Sequence, residues 1–286
     1  MRILVITPSR GRVFGLSAAL STLRYLESGK HEVRYCVISD DDDPATAEWC
    51  SAAKHIPISN RVGPRQTTMG GAINEVAEHF CDHADVYTVI NDDILCMSAN
   101  WDDTIAQAVE ATPHGVFWWG CDESMEQDAL YPIVTEKWRH AAGNVFTDYF
   151  PFWYDDLCLA ELWLMATDAE AIRLDCKIID RPVRTTRMRE VKFWQQVYTQ
   201  TRVLRVQQAY QVAERLGLPT PQGSVHVGNL MTAHLKSVPD AKLDAIEKNQ
   251  GETSPPDDAY LEAKARADEL LATIRRMQAP GYMEAA

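Results

Sequence analysis

Asp92 and Asp93 are adjacent carboxylates at the end of a short apolar run, Val86–Ile90. That run is rich in β-branched residues, which predicts a buried strand delivering the pair at its carboxyl end. A hard cation such as Mg²⁺ or Mn²⁺ takes one or two carboxylates and completes its shell with phosphate oxygens and water. The pair is therefore a candidate metal centre. Aspartate is also a common turn residue, so the same side chains would serve to cap a turn. Two further strand ends weigh toward the metal. Arg2–Thr7 predicts a strand that runs into the basic turn Pro8, Ser9, Arg10, Gly11, Arg12. Val33–Ile38 predicts another, ending in Ser39 and the acidic run Asp40, Asp41, Asp42, Asp43 before Pro44. Open α/β sheets bind ligands beyond the carboxyl ends of their strands. Cations and carboxylates sharing that edge suit a phosphate held with its metal.

The elements that would position these groups alternate. A helix is predicted from Leu16 to Leu26, stopped by Gly29, and another from Ala45 to Ala53. His55–Ser59 reads as a short strand, Asn60–Arg65 as a loop, and Thr67–Phe80 as a helix with Ile73, Val76, Ala77 and Phe80 on one face. Gly115–Gly120 reads as a core strand, and Pro132–Gly143 as a turn and short helix. Strands alternating with helices imply an α/β class with a mostly parallel, Rossmann-like sheet and helices on both faces. The expected organisation is a catalytic domain over residues 1–180 and a helical C-terminal region over 181–286 that completes the acceptor side.

In this order the pieces resemble the nucleotide-sugar glycosyltransferases of the GT-A fold. They are Thr7-Pro8-Ser9-Arg10-Gly11-Arg12, Ile38-Ser39-Asp40-Asp41, Asn74, Ile90-Asn91-Asp92-Asp93-Ile94, and Trp101. The resemblance covers roughly residues 1–170. It implies that Thr7, Arg10, Asp40, Arg65 and Asn74 contact the nucleoside and phosphates of a nucleotide-diphospho-sugar, with a UDP-sugar favoured. It implies that Asp92 and Asp93 bind Mn²⁺ or Mg²⁺. The family's metal motif is an Asp-any-Asp triplet, and Asn91 stands in its first acidic place, which leaves the ligand open between Asp92 and Asp93. His226 is a candidate third ligand, of the kind such enzymes place after the sheet; a lone histidine is also commonly structural.

Further on, Asp148-Tyr149-Phe150-Pro151-Phe152-Trp153-Tyr154-Asp155-Asp156-Leu157 runs an aromatic cluster into two carboxylates. By the resemblance, Asp155 or Asp156 faces the acceptor as general base, a role that apolar surroundings favour by raising a carboxyl pKa. The competing reading has the aromatics as core and Asp155 as the cap of the following helix.

Composition bounds the rest. The 286 residues hold 46% hydrophobic and 24% charged side chains, an ordinary globular balance. No apolar run reaches the eighteen or so residues of a membrane span. The seven cysteines are scattered with no Cys-x-x-Cys pair, which predicts reduced thiols in a cytoplasm. A net charge of −13 argues against whole-surface affinity for nucleic acid. From Ala171 to Leu216, however, ten cations face four anions, so this segment carries +6 and the remainder −19. It reads either as a solvated helix face or as a patch for a polyanion, in which case Arg184, Arg187 and Arg189 would meet DNA phosphates. Hydroxymethylated DNA bases, the acceptor of phage-encoded relatives, are then one candidate acceptor. Arg187–Leu216 reads as one long helix. Tyr260–Met277 is an amphipathic helix whose stripe (Tyr260, Ala263, Ala267, Leu270, Leu271, Ile274) packs back on its own domain or forms a homodimer.

The function expected is a metal-dependent glycosyltransferase acting on a hydroxyl acceptor. The rivals are a nucleotidyltransferase working on a sugar phosphate, for whose Gly-rich loop the turn at Ser9–Arg12 is too short, and a non-enzymatic nucleotide or nucleic-acid binding module.

Overall fold

The computed structural model describes residues 1–121, 131–152, 154–180, 188–221, 243–245, 247–248 and 253–277, with the backbone alone of Cys121 and Asp180. The chain divides into two compact units. The first comprises Met1–Arg65, Gly71–Phe146 and Glu170–Val183; the second comprises Gln66–Gly70, Thr147–Ala169 and Arg184–Ala286. The chain thus passes into the second unit at 66–70, at 147–169 and from 184 onward.

The first unit is built on one eight-stranded sheet. Its strands are β1 (Arg2–Pro8), β2 (Glu32–Asp40), β3 (Ile58–Gly63), β4 (Val86–Val89), β5 (Ile94–Cys96), β6 (Val116–Cys121), β7 (Pro132–Thr135) and β8 (Ile172–Asp180). The spatial order is β3-β2-β1-β4-β7-β6-β8-β5. β1 pairs in parallel with β2 and β4, and β2 with β3. The helices between them are α1 (Val13–Tyr25), α2 (Pro44–Ala52) and α3 (Met69–His79). β1 to β3 step one way across the sheet, and β4 returns to the other side of β1. Right-handed crossovers therefore put α1 and α2 on one face and α3 on the other. The reversal between β1 and β4 is a topological switch point, and the crevice beyond their carboxyl ends is the expected ligand position.

The core explains the strands. Ile3, Leu4, Val5 and Ile6 of β1 and Val86 and Tyr87 of β4 are buried, as a strand covered on both faces requires. Leu16, Ala19, Leu20 and Leu23 form the buried stripe of α1. Past β4 the sheet is mixed: β4–β7, β6–β7 and β5–β8 are antiparallel, while β6–β8 is parallel.

Several sequence expectations are corrected here. β3 starts at Ile58, not His55, and runs through the stretch read as a loop; its polar edge residues Ser59, Asn60 and Arg61 hide a strand fixed by pairing with β2. Pro132–Thr135 is a strand wedged between β4 and β6, with the helix α5 (Glu136–Ala142) following. β8 falls inside the basic segment. Its Leu174, Cys176 and Ile178 point inward, while Arg173, Asp175 and Lys177 alternate outward. Two of the ten cations thus sit on a strand. α4 (Trp101–Ala111) buries Trp101, whose indole N–H donates to the Leu23 carbonyl at 3.0 Å.

The second unit is helical where described: α6 (Asp155–Thr167), α7 (Val191–Gln200), α8 (Arg202–Leu216) and α9 (Asp258–Met277). The single helix expected from Arg187 to Leu216 is two, parted at Thr201. Phe150, Phe152, Tyr154, Trp194, Tyr198 and Tyr260 make its aromatic core. Tyr260, Ala263, Ala267 and Leu271 of α9 belong to that core, so of the two readings of this stripe, packing within its own unit is the one these residues show. A buried ion network ties α6 to α8. Glu161 is fully buried; its Oε1 lies 3.1 Å from Arg202 Nε and its Oε2 accepts from Arg205 Nε at 2.7 Å and from the Tyr198 hydroxyl at 3.1 Å. Arg205 also donates to Thr201 Oγ1 and the Tyr198 carbonyl, both at 2.8 Å, with its guanidinium over the Tyr198 ring.

Candidate functional site

The turn after β1 carries groups from three strands. Its backbone is anchored by Ser9 N–H, which donates to the Ile38 carbonyl of β2 at 2.9 Å. Gly11, at φ +64, donates its N–H to Asp43 Oδ2 at 2.7 Å. Glycine takes that left-handed conformation without the penalty a Cβ brings. Asp43 also caps α2, accepting from Thr46. Asp43 thus shapes the turn, while its exposed neighbour Asp42 pairs with Arg10.

Beside the end of β2, Arg10, Asp40 and Arg65 converge. Arg10 Nη1 donates to Asp40 Oδ2 at 2.7 Å, and the same guanidinium clamps both oxygens of Asp42, at 2.7 Å for Nη2–Oδ2. Arg65 Nε lies 3.8 Å from Asp40 Oδ2. Arg10 is held above its ordinary pKa by the Asp42 and Asp40 carboxylates, and Asp42 is held below its own by Arg10. The sequence-predicted residues Arg10, Asp40 and Arg65 therefore form one polar cluster.

The second cluster lies past β4. Asp92 is fully buried and Asp93 nearly so. The Ser9 hydroxyl donates to Asp92 Oδ2 at 2.7 Å. Arg12 reaches both carboxylates, with Nε 3.1 Å from Asp92 Oδ2 and Nη1 3.5 Å from Asp93 Oδ2. Burial pushes the Asp92 carboxyl up, and the Arg12 charge and Ser9 hydrogen bond pull it back. Asp92 Oδ1 is buried and accepts no hydrogen bond, and Thr7 Oγ1 is likewise buried and unpartnered. Such orphaned oxygens in a polar crevice suit water, an ion or a bound ligand. Among the described residues no group of three or more His, Cys, Asp or Glu is arranged around a metal position. The donor set is thus a carboxylate pair, which fits a hard cation that draws its remaining ligands from phosphate and water. His226 lies outside the described residues. α1 abuts this loop closely: a Cβ added at Gly15 would meet the Asp92 carbonyl oxygen at 2.5 Å.

Asn74, expected by resemblance to contact the nucleotide, is engaged with the backbone of Val145 and Phe146. Its Oδ1 accepts from Val145 N–H at 2.9 Å and Phe146 N–H at 3.1 Å, and its Nδ2 donates to the Phe146 carbonyl at 2.9 Å. An amide so engaged fixes the chain just before Thr147.

Asp155 and Asp156 start α6 in the second unit. Tyr154, at φ 69, holds the cap position, so Asp155 is the first helical residue and not the cap. Asp155 accepts from Thr147 Oγ1 at 3.0 Å, and burial raises its carboxyl well above the usual range. Asp156 is half-buried; desolvation raises its carboxyl to about 6, against a hydrogen bond from Leu157 N–H at 2.8 Å. Asp148, a neighbour in the same unit, accepts from Thr68 Oγ1 and Arg266.

Of the cations proposed to meet DNA, Arg184 and Arg187 lie outside the described residues. Arg189 donates to the Ser254 carbonyl at 3.0 Å and stacks over Tyr260. Arg202 and Arg205 serve Glu161, and Lys192 pairs with Asp244 at 2.8 Å. Lys192, Arg202 and Arg205 are thus paired with anions of their own unit.

Sequence reasoning passed over Ser9 and Arg12 as site residues. A signal was present: two adjacent carboxylates on a buried strand end call for a counter-charge, and the basic turn is the nearest source.

No family model and no curated protein matches the sequence. Solved structures do share its fold. The mannosyltransferase PcManGT of Pyrobaculum calidifontis, in complex with GDP-Man and Mn²⁺, aligns with a TM-score of 0.56 at 13% identity over 96% of this chain and 82% of its own. A TarS 1–349 chain of S. aureus aligns in complexes with UDP and with UDP-GlcNAc, with TM-scores of 0.55 and 0.56 at 12% and 11% identity, over 99% of this chain and 89% of that 1–349 chain. The GT-A-like α/β architecture expected from the sequence is therefore the one the chain adopts.

Proposed function

We propose that this chain is a glycosyltransferase that moves a sugar from a nucleotide-diphospho-sugar to a hydroxyl acceptor. The observation that carries the reading is the buried Asp92–Asp93 pair, with its orphaned Asp92 Oδ1, at the switch point of a sheet whose fold is shared with proteins holding GDP-Man and UDP. In this reading Asp40, between Arg10 and Arg65, accepts a hydrogen bond from the nucleoside. Thr7 and Arg10 bind toward the phosphates. Asp92 and Asp93 hold Mn²⁺ or Mg²⁺, which when bound neutralises charge on the leaving diphosphate. A metal in the PcManGT complex supports that assignment. His226 stays a candidate further ligand.

Of the two carboxylates on α6, Asp156 is the better supported base. A base works best with a pKa near the working pH, and its value of about 6 leaves it ionised at neutrality. Asp155 is raised well above the usual range, so it holds its proton more readily.

The acceptor is better supported as a small-molecule or glycan hydroxyl than as hydroxymethylated DNA. The DNA reading rests on Arg184, Arg187 and Arg189, and Arg189 is already engaged by Ser254 and Tyr260. The free thiols of Cys36, Cys50, Cys81, Cys96, Cys158 and Cys176 support a reducing, cytoplasmic setting. Among the described residues no helix is long and apolar enough to cross a membrane.

The test is hydrolysis and transfer with a panel of UDP- and GDP-sugars, with and without Mn²⁺, using radiolabelled donor and both glycan and hydroxymethylated duplex DNA acceptors. Release of nucleoside diphosphate from one donor, enhanced by Mn²⁺, is expected. No turnover and no thermal shift with any donor would remove the reading. A thermal shift without turnover would favour a binding module, and a nucleotide joined to a sugar phosphate would favour a nucleotidyltransferase.

A further inference from the structure

We infer that Arg12 is a resident counter-cation that competes with a divalent metal for Asp92 and Asp93, so that metal binds weakly until a diphosphate arrives to receive the arginine. The inference rests on the proposed metal role of that pair.

Two carboxylates buried side by side repel one another and are costly to desolvate without a positive charge. Arg12 supplies that charge, with Nε 3.1 Å from Asp92 Oδ2 and Nη1 3.5 Å from Asp93 Oδ2. Its side chain is nevertheless 33% exposed, while the Asp92 side chain is at 0%. The carboxylate is thus fixed and the arginine is reachable from solvent. Their anchoring differs in the same sense. Ser9 pins Asp92 through Oδ2 at 2.7 Å, whereas Arg12 stands at the N-cap position of α1 with no side-chain cap to make. The turn beneath Arg12 is itself held, by Gly11 N–H on Asp43 and Ser9 N–H on the Ile38 carbonyl. Moving the guanidinium therefore requires rotation of its own side chain and no change in the turn.

A divalent ion entering at Asp92 Oδ1 would feel the Arg12 charge at close range in a poorly hydrated site, where like charges interact far more strongly than in water. A diphosphate changes that balance. Its oxygens neutralise the ion and offer the guanidinium a bidentate partner of matching geometry. Metal and nucleotide binding are then coupled through Arg12, and each must tighten the other by the same factor.

The experiment measures Mn²⁺ affinity of the full chain by electron paramagnetic resonance, without nucleotide and with UDP or GDP. Arg12→Gln should bind Mn²⁺ alone on the order of tenfold tighter than the parent, and should lose most of the tightening that nucleotide brings. Arg12→Lys keeps a charge but spans one carboxylate, so it should fall between the two; it also serves if Arg12→Gln does not fold, as judged by circular dichroism. Unchanged or weaker Mn²⁺ binding in both variants, with binding still lost in Asp92→Asn, would overturn the role of Arg12 and leave the metal centre standing. No Mn²⁺ binding by parent or variants, with or without nucleotide, would remove the metal centre itself and the inference with it.

Discussion

Two places in this chain bury a carboxylate against an arginine, and they complete the arrangement differently. Around Glu161 both oxygens are taken, by Arg202, Arg205 and the Tyr198 hydroxyl, and Arg205 spends its remaining nitrogens on Thr201 and the Tyr198 carbonyl. Around Asp92 one oxygen is shared by Ser9 and Arg12 while the other accepts nothing. Both carboxylates are fully buried. Burial of charge by itself does not mark a site. An oxygen left without a hydrogen bond does: the closed network can be spent on holding α6 to α8, whereas the open one retains capacity for something that is not protein.

The sharpest way to break this comparison is to open the closed network. Arg205→Met leaves the buried Glu161 with only Arg202 and the Tyr198 hydroxyl and should cost about 3 kcal/mol of stability in urea unfolding. A loss below about 1 kcal/mol would mean that the two sites do not differ as argued. The converse change at the open site should touch chemistry and spare the fold. Asp93→Asn should lower donor turnover by about a hundredfold in saturating Mn²⁺, with an unchanged thermal midpoint. Full activity of that variant, or undiminished parent activity in EDTA, would refute the metal role.

Asp40→Ala probes the neighbouring cluster. It should weaken nucleoside diphosphate binding by about 1–3 kcal/mol, read by calorimetry with UDP and GDP. Equal affinity for every nucleoside diphosphate would take Asp40 out of the site. The smallest effect is expected at Asp156, whose carboxyl is raised from 3.8 to about 6 by desolvation. The folded state then holds the proton more tightly than the unfolded chain. Its advantage is present in full below the unfolded value and is lost as pH climbs through about 6. Asp156→Asn cannot ionise, so it should exceed the parent in stability by about 1–2 kcal/mol at pH 8 and match it near pH 4. Equal stability across that range would show that the carboxyl is solvated. If Asp156 is also the base, parent turnover should rise with pH through about 6, and the variant should lose that limb.

β1, β2 and β4 were legible because they carry apolar runs, such as Ile3–Ile6, that end abruptly in charge. β3 and β7 were not. β3 is polar and depends on pairing with β2, and β7 begins at a proline and is four residues long. β8 was obscured because its outward residues are charged, and counting Arg173 and Lys177 by sign alone hid the alternation with Leu174, Cys176 and Ile178. At the site, Arg10 and Asp40 stood at strand ends in the sequence and Arg65 was placed by resemblance, and the three converge. Asn74 was placed by resemblance, and its amide turned out to face Val145 and Phe146, which no local pattern announces. Ser9 and Arg12 are one strand removed from the carboxylates they serve, about 80 positions away in the chain, so pairing them needs the register of β1 with β4.

Gly15 sets a condition on how this chain could be altered or could have diverged. Its missing Cβ leaves room for the Asp92 carbonyl oxygen, 2.5 Å from where that carbon would stand. Alanine, ordinarily the most harmless residue in a helix, would here drive its methyl group into the Asp92 carbonyl. The constraint is one of spacing, not of chemistry: any sequence that keeps this loop must keep a hydrogen at position 15 however freely its reactive groups are exchanged. Transplanting the turn and the carboxylates into another scaffold without that glycine would carry over the ingredients and lose the clearance between them.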